Sequence, residues 1–267
     1  MTTLIPASTG LHHVLDGGRR GEPALVFVNS LGTDHRMWSD LCDRLPAGLR
    51  AIRYDKIGHG LSAAGPRRRI GMGELVDDLE RVLEAHECPA ACLVGASIGG
   101  HIAALLAARR PDLVKGLVIV GSTPTMGTPQ MWMRRFFDVA TSGMDTLARQ
   151  MVQRWFPAGF LAANPPVAAL YETMVARCDV ATYCEICQAL IESDVSQALR
   201  DLEIAPLLVC GEEDVSASPA AMLAMAQVMG GARLEILEGC GHMPAAQQPE
   251  AMAALIGEYA AAVGIGR

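Results

Sequence analysis

The chain has 267 residues, which is enough for one large domain or two small ones. Hydrophobic residues make up 51% of it and charged residues 19%, a composition that supports a sizeable core and excludes a disordered chain. The formal net charge of -7 argues against a protein that binds nucleic acid or an anionic membrane. It also means that an anionic substrate would need local cations for binding.

The sequence shows no targeting or membrane segment. Its start lacks a basic stretch followed by an apolar run, and the apolar residues 113–120 are too few to cross a bilayer. We therefore expect a soluble, cytoplasmic protein. In that reducing compartment the eight cysteines are expected to be small buried thiols. Cys184 and Cys187 form a CxxC pair, but the pair lies in a helical pattern and no second pair completes a zinc site.

Short apolar runs alternate with longer amphipathic segments in the first part of the chain. The pattern predicts strands at 24–29, 49–54, 91–94 and 114–120, and helices at 72–86 and 98–109. Strands that alternate with helices pair in parallel through right-handed crossovers. The fold class is therefore predicted to be α/β, with a mostly parallel, doubly wound sheet.

The alternation stops between residues 124 and 200, where only helical patterns occur. It resumes with strands at 206–210 and 233–237 and helices at 219–229 and 250–263. We divide the chain into a core of residues 1–123 and 201–267 and a helical cap of residues 124–200. The cap is expected over the carboxyl edge of the sheet, where open α/β sheets bind ligands. Eight of the twelve aromatic residues fall in this insertion, and one or two of them are expected to line a pocket.

Ser97 lies in the sequence Gly-Ala-Ser-Ile-Gly at 95–99, between a predicted strand and a predicted helix. This is the position of a nucleophile elbow, in which small residues on both sides of the serine permit a tight turn that presents its hydroxyl. A serine hydroxyl is a poor nucleophile at neutral pH and needs a base. The motif alone also occurs in turns without chemistry, so the assignment depends on the other groups.

Asp214 and His242 supply a matching acid and base. Each follows a predicted strand, and the order serine, acid, histidine is the one used by α/β-hydrolases. The histidine would accept the Ser97 proton and return it to the leaving group, and Asp214 would orient the imidazole. Glu212 and Glu213 are alternative acids, and Asp214 is preferred by its position. The oxyanion hole is predicted to use the backbone N–H groups of Ile98 and Leu31.

Three segments resemble 3-oxoadipate enol-lactonases of the α/β-hydrolase fold. They are Asn-Ser-Leu-Gly-Thr-Asp-His-Arg-Met-Trp at 29–38, Arg-Tyr-Asp-Lys-Ile-Gly-His-Gly-Leu-Ser at 53–62 and Gly-Ala-Ser-Ile-Gly-Gly at 95–100. Residues 154–156 and 183–194 are also similar, so the resemblance extends from about residue 29 to residue 242. It departs at Ile57, where the family pattern has arginine, and we expect the change to alter a structural ion pair near the pocket.

The resemblance implies a carboxylic ester hydrolase that opens 3-oxoadipate enol-lactone to 3-oxoadipate in the β-ketoadipate pathway of aromatic hydrocarbon catabolism. No cofactor and no metal would be needed. The partner would be a small lactone or ester that bears a carboxylate, which calls for an arginine or a similar set of donors. The candidates in the insertion are Trp132, Arg134, Arg135 and Arg154, and each arginine has the alternative of a solvated surface charge. His35 is a weaker candidate, and Arg67, Arg68 and Arg69 are predicted to form a solvated loop.

Other functions use the same residues. A carboxylesterase, a perhydrolase or a hydrolase of carbon–carbon bonds would share this fold and triad, and fold alone does not decide the substrate. A non-catalytic ligand-binding receptor is the alternative from another class, and an intact triad argues against it. Dehalogenases and epoxide hydrolases are disfavoured because their nucleophile is an aspartate. The sequence leaves the oligomeric state open.

Overall fold

A computed structural model describes residues 1–64 and 69–266 of the chain. Arg67 and Arg68 lie outside the described residues. Arg69, which follows them, is exposed and forms an ion pair with Glu192. Within the described ranges, no helix is both long enough and apolar enough to cross a membrane. The eight cysteines are all free, and seven of them are buried.

The described residues form one sheet of eight strands. In chain order the strands are β1 Thr2–Pro6, β2 Leu11–Asp16, β3 Ala24–Val28, β4 Ala51–Tyr54, β5 Ala91–Ala96, β6 Val114–Val120, β7 Leu207–Gly211 and β8 Arg233–Leu237. Their order across the sheet is β1-β2-β4-β3-β5-β6-β7-β8. β1 and β2 are antiparallel to their neighbours and the other pairs are parallel, which confirms the predicted fold class.

Helices cover the sheet and fill the segment between β6 and β7. They are α1 Ser39–Cys42, α2 Met72–Ala85, α3 Ile98–Arg109, α4 Pro129–Trp155, α5 Ala158–Ala163, α6 Pro165–Ala176, α7 Val180–Glu192, α8 Ser196–Arg200, α9 Pro219–Val228, α10 Pro244–Gln247 and α11 Pro249–Ala262, with a 3-10 helix at His35–Trp38. All residues of β3 and β5 are buried, as expected for parallel strands covered on both faces.

Helices α4 to α8 all lie in the segment between β6 and β7. Proline stands at the first position of α4 and of α6, where its missing N–H costs nothing, so these prolines start helices. Gly143 interrupts α4 with a φ of 73°, which divides it into two helical arms. The predicted helical character of this segment is therefore observed.

The hairpin of β1 and β2 was not predicted from the sequence. Strand β2 contains His12 and His13, whose side chains are buried although histidine is not a typical core residue. Each imidazole bonds to a distant carboxylate: His12 lies 3.1 Å from Asp78, and His13 lies 2.9 Å from Asp55. Because these partners come from other parts of the chain, the local pattern does not reveal the strand.

Candidate active site

Ser97 forms the sharp turn between β5 and α3. Its φ of 54° and ψ of -122° are strained for a residue with a side chain, and among the described residues only Glu87 is another non-glycine with positive φ. The Ser97 N–H donates to the carbonyl of Val120 at 2.9 Å, and the Ser97 carbonyl accepts from Gly100 at 2.8 Å. These bonds hold the turn that presents the side chain.

The two flanking glycines are required by close backbone contacts. A β-carbon at Gly95 would lie 2.2 Å from the Gly99 carbonyl oxygen, and one at Gly99 would lie 2.1 Å from the Val28 carbonyl oxygen. No side chain fits at either distance. The glycine spacing therefore lets the turn close on itself and lets α3 pack against the end of β3.

His242 is paired with Asp214 in a buried hydrogen bond. The His242 Nδ1 lies 2.7 Å from Asp214 Oδ2, and the other carboxylate oxygen accepts the N–H groups of Ser216 at 2.7 Å and Ala217 at 3.0 Å. Glu212 and Glu213 are exposed. Of the three acids considered from the sequence, Asp214 is therefore the one that meets the histidine.

The environment of Asp214 keeps it ionised. Burial by itself would raise the pKa of this carboxyl, but the attraction and hydrogen bond of His242 and the backbone bonds from Ala217 and Ser216 outweigh burial and lower the pKa. An ionised carboxylate on Nδ1 leaves the Nε2 atom of His242 for proton transfer. The backbone N–H of His242 donates to the backbone carbonyl of Trp155 at 2.7 Å, so the end of α4 helps to hold the histidine.

Ser97 and His242 line the same pocket. The Ser97 Oγ lies 3.9 Å from the Met126 sulfur, a weak acceptor, so little energy holds the hydroxyl in this orientation. Leu31 also lines the pocket. Ile98 is the first residue of α3, where a backbone N–H has no carbonyl partner within the helix. The sequence-predicted residues Ser97, His242 and Leu31 therefore meet at one pocket.

The structure separates the candidates for carboxylate binding. Trp132, Arg135 and Arg154 line the pocket. Arg134 does not: its side chain is 80% exposed and pairs with Asp138 at 2.8 Å. His35 bonds to Asp55 at 2.9 Å and is not among the residues that line the pocket. Two of the three candidate arginines therefore remain at the site.

Arg135 and Arg154 differ in what they touch. The guanidinium carbon of Arg135 lies 4.9 Å from the ring centroid of Trp132, a cation–π contact. Arg154 donates to Ser216 Oγ at 3.1 Å and to the Val215 carbonyl at 3.3 Å. In the part of the chain that the structure describes, neither arginine has a carboxylate in ion-pair contact, so both can receive an external anion.

One group of side chains outside the pocket has metal-binding character. The donor atoms of His13, His35 and Asp55 lie within 4.8 Å of one another. The Asp55 carboxylate already accepts bonds from both imidazoles at 2.9 Å and from the backbone of His35 at 2.7 Å and Leu61 at 3.0 Å. These bonds satisfy both oxygens of the buried Asp55 carboxylate, and we interpret the cluster as structural.

The strand order, the strained serine turn and the paired histidine together point to one fold family. Residues 25–255 match the family model described as the alpha/beta hydrolase family. The chain belongs to the alpha/beta hydrolase family.

Relatives of this alpha/beta hydrolase include enol-lactonases and esterases. The chain is 29% identical over 236 residues to 3-oxoadipate enol-lactonase 2 of Acinetobacter baylyi, covering 88% of this chain and 87% of the relative. It is 27% identical to the pimeloyl-[acyl-carrier protein] methyl ester esterase of Nitrosospira multiformis, covering 89% and 94%. The crystal structure of the enol-lactonase from Burkholderia xenovorans LB400 superposes with a TM-score of 0.92 at 27% identity, covering 97% of this chain and all of that one. The resemblance to enol-lactonases is confirmed.

Several pocket residues of this hydrolase were not predicted from the sequence. They are Ser30, Met126, Gly127, Met131, Met151, Trp155 and Ser216. Most are apolar residues of the insertion, and a methionine or tryptophan in an amphipathic helix carries no signal that separates pocket from core. Ile57, where arginine was expected, is fully buried and packs against Gly10.

Proposed function

We propose that this alpha/beta hydrolase opens the ring of 3-oxoadipate enol-lactone to give 3-oxoadipate, with Ser97 as nucleophile, His242 as general base and acid, and Asp214 as the residue that orients His242. The observation that carries the proposal is that Ser97, the Asp214-paired His242 and Arg135 belong to one pocket. The similarity to named enol-lactonases supports this substrate.

The chemistry follows acyl transfer to a serine. His242 Nε2 takes the Ser97 proton as Oγ attacks the lactone carbonyl, and the resulting oxyanion is stabilised by the N–H groups of Leu31 and Ile98. Collapse breaks the ring carbon–oxygen bond, and the enol oxygen leaves with a proton from His242 and tautomerises to the ketone. Water, deprotonated by His242, then attacks the acyl-enzyme and releases the carboxylic acid and Ser97.

We propose that residues 124–200 act as a cap that supplies substrate contacts. Arg135 is positioned to bind the free carboxylate, since it lies in the pocket and has no carboxylate of its own within the described residues. Trp132 would form one wall. Arg154, which is exposed and already bonds to Ser216, is the secondary cation. We do not assign Arg134 to substrate binding because its side chain points to solvent.

A carboxylesterase is the second candidate. Methyl ester esterases are among the relatives at nearly the same identity as the enol-lactonases, and the same serine chemistry would serve an open-chain ester. The two activities differ in the leaving group, which remains attached to the acyl group only in the lactone.

The first experiment follows the ultraviolet absorbance of 3-oxoadipate enol-lactone, generated in situ, with the wild type and Ser97→Ala. We expect rapid turnover by the wild type and a loss of about 10⁴-fold or more in the variant. Ser122→Ala is the matched control, since Ser122 is also a buried serine whose hydroxyl contacts Met126. Turnover of p-nitrophenyl acetate without turnover of the lactone would favour the esterase and contradict the lactonase. Ligand binding without turnover of any substrate would favour a receptor.

A further inference from the structure

Three consecutive backbone amides follow Ser30 in the loop after β3, and two of them have acceptors. The Thr33 N–H donates back to the Ser30 carbonyl at 3.2 Å, and the Gly32 N–H donates to Nε2 of His59 at 3.1 Å. Among the residues that the structure describes, no acceptor takes the N–H of Leu31, which lines the pocket. Of these three amides, the Leu31 N–H is therefore the one left for a ligand.

The His59 side chain is held in the form that accepts a hydrogen bond. Its Nδ1 lies 2.8 Å from the Ile57 carbonyl, which only a protonated Nδ1 can bond, so Nε2 is the acceptor for Gly32. Burial and the neighbouring Lys56 lower the pKa of His59 to about 3. The imidazole therefore stays neutral at physiological pH and keeps the Gly32 amide occupied.

Lys56 holds the same loop from the carbonyl side. It is 1% exposed, and its Nζ donates to the carbonyls of Asn29 at 2.7 Å and Ser30 at 3.0 Å. The hydroxyl of Thr33 donates to the Ser30 carbonyl as well, at 3.0 Å. Burying an ammonium group is costly, and here its only bonded partners in the described residues are two carbonyls rather than a carboxylate.

The Ser30 carbonyl and the Leu31 N–H belong to one planar peptide unit. Donors on the oxygen of that unit fix its plane, and they also polarise its N–H, because hydrogen bonds in a chain strengthen one another. The ammonium of Lys56 is the strongest of these donors because it is charged.

We infer that Lys56 is a positioning residue for the hydrolysis of esters and lactones, which orients and polarises the Ser30–Leu31 peptide so that the Leu31 N–H serves as an oxyanion donor. The inference rests on the proposed function, since it requires a tetrahedral oxyanion formed at Ser97. His59 complements Lys56 by occupying the neighbouring Gly32 amide.

The test uses p-nitrophenyl acetate, a neutral ester that does not depend on the carboxylate contact. Lys56→Met removes the donors and keeps a similar side-chain length. We expect kcat to fall by about 10- to 100-fold, with a smaller change in KM. This loss should not exceed the loss caused by deleting an oxyanion donor outright. Lys115→Met is the matched control, because Lys115 is the only other lysine in the chain and is exposed. It should leave kcat unchanged.

Inhibitors separate positioning from general loss of structure. A trifluoromethyl ketone forms a reversible adduct with Ser97 and places its oxygen in the oxyanion hole, so its inhibition constant should rise in Lys56→Met by the same factor by which kcat falls. Thr33→Val is nearly isosteric and removes the second side-chain donor on the Ser30 carbonyl, together with the contact of the same hydroxyl with the Met37 sulfur. It should give a smaller loss of the same kind, and it decides the question if Lys56→Met does not fold.

The pH profile provides an independent readout. Burial lowers the pKa of Lys56 to about 7, against the opposing attraction of Asp55 and Asp34. The neutral His59 and the Cys178 thiol also face Lys56, and burial raises the pKa of that thiol to about 12, so it is uncharged near pH 7. The ammonium is therefore present below pH 7 and is lost as the pH rises through that value. We expect a fall in wild-type kcat above pH 7 that is absent in Lys56→Met.

The outcomes distinguish this inference from the proposed function. If the wild type turns over the ester and Lys56→Met and Thr33→Val both keep kcat and the inhibition constant within twofold, the positioning role is overturned while the hydrolase stands. If the wild type hydrolyses neither the ester nor the lactone, the proposed function fails. The rate at which a fluorophosphonate labels Ser97 can then still be compared between the wild type and Lys56→Met. Equal rates would also reject the positioning role.

Discussion

Gly121 lies directly against the paired Asp214 and His242. A β-carbon at this position would lie 3.1 Å from Asp214 Oδ2, 3.1 Å from His242 Nδ1 and 3.2 Å from His242 Cε1. Its φ of 54° is also in the region that favours glycine. The residue directly after β6 therefore has to be glycine for Asp214 and His242 to keep this position, although it contributes no functional group.

We predict that Gly121→Ala lowers kcat by about 10- to 100-fold, because it displaces the imidazole by a few tenths of an ångström or tilts it away from Ser97. Gly143→Ala is the control, since Gly143 also has a positive φ but a β-carbon there would meet nothing within 4 Å. Both variants should lose about 1–2 kcal/mol of unfolding free energy to backbone strain. Equal kcat in the two variants would show that a β-carbon next to Asp214 and His242 has no effect on catalysis.

At the scale of the elements, Asp55 joins several segments at the end of β4. Its carboxylate bonds to His13 on β2, to His35 in the 3-10 helix and to the backbone of Leu61 in the following loop. Burial would raise the pKa of Asp55, but the bond and charge of His35 and the backbone bonds of Leu61 and His35 lower it to about 2. The antiparallel hairpin is thus tied to the parallel part of the sheet.

This lowered pKa makes a prediction for acid stability. The stabilisation from ionised Asp55 is fully present above its ordinary pKa of 3.8 and is lost as the pH falls toward 2. We expect Asp55→Asn to lower the unfolding free energy by about 2 kcal/mol or more at pH 5–7, and the difference from wild type to shrink between pH 4 and pH 3.

Urea denaturation at a series of pH values measures that difference. Asp43→Asn provides the control, because Asp43 is exposed and its substitution should change the unfolding free energy little. A difference for Asp55→Asn that stays constant from pH 7 to pH 3 would mean that the carboxylate charge does not stabilise the fold.

At the scale of the whole molecule, the pocket combines residues of the sheet with residues of the insertion. The chain carries a net charge of -7, so the general field repels an anionic substrate. Arg135 and Arg154 place two positive charges locally in this acidic molecule, beside Trp132 and Trp155. Binding of a carboxylate would therefore depend on the insertion rather than on the average charge.

We predict that Arg135→Met lowers kcat/KM for the enol-lactone by about 10- to 100-fold, mainly through KM, because a charged hydrogen-bond partner is lost. The same variant should hydrolyse p-nitrophenyl acetate as well as the wild type does. Arg134→Met changes the adjacent residue, which points to solvent, and should change neither activity. A matching loss on both substrates in Arg135→Met would argue for a structural role of this arginine.

Much of the architecture could be predicted from the sequence because it is written in local patterns. Buried parallel strands such as β3 and β5 read as continuous apolar runs, and Gly95 records a close contact made within the turn itself. Asp214 and His242 could be placed at the same sheet edge because both follow strands, and parallel strands end on the same side. The catalytic roles of these residues and the division into core and cap stay predictions.

Other features depend on contacts that the local sequence does not encode. Strand β2 was missed because His12 and His13 are buried only through carboxylates far along the chain. Arg134 and Arg135 are equivalent in the sequence, yet successive residues of a helix point about 100° apart, so only the packing of α4 against α6 and α7 decides which one enters the pocket. The order of the elements and the chemical groups at the strand ends are thus encoded in local sequence patterns. Which residues of α4 face those groups depends on tertiary packing, because the rotation of a helix about its axis is set by what it packs against.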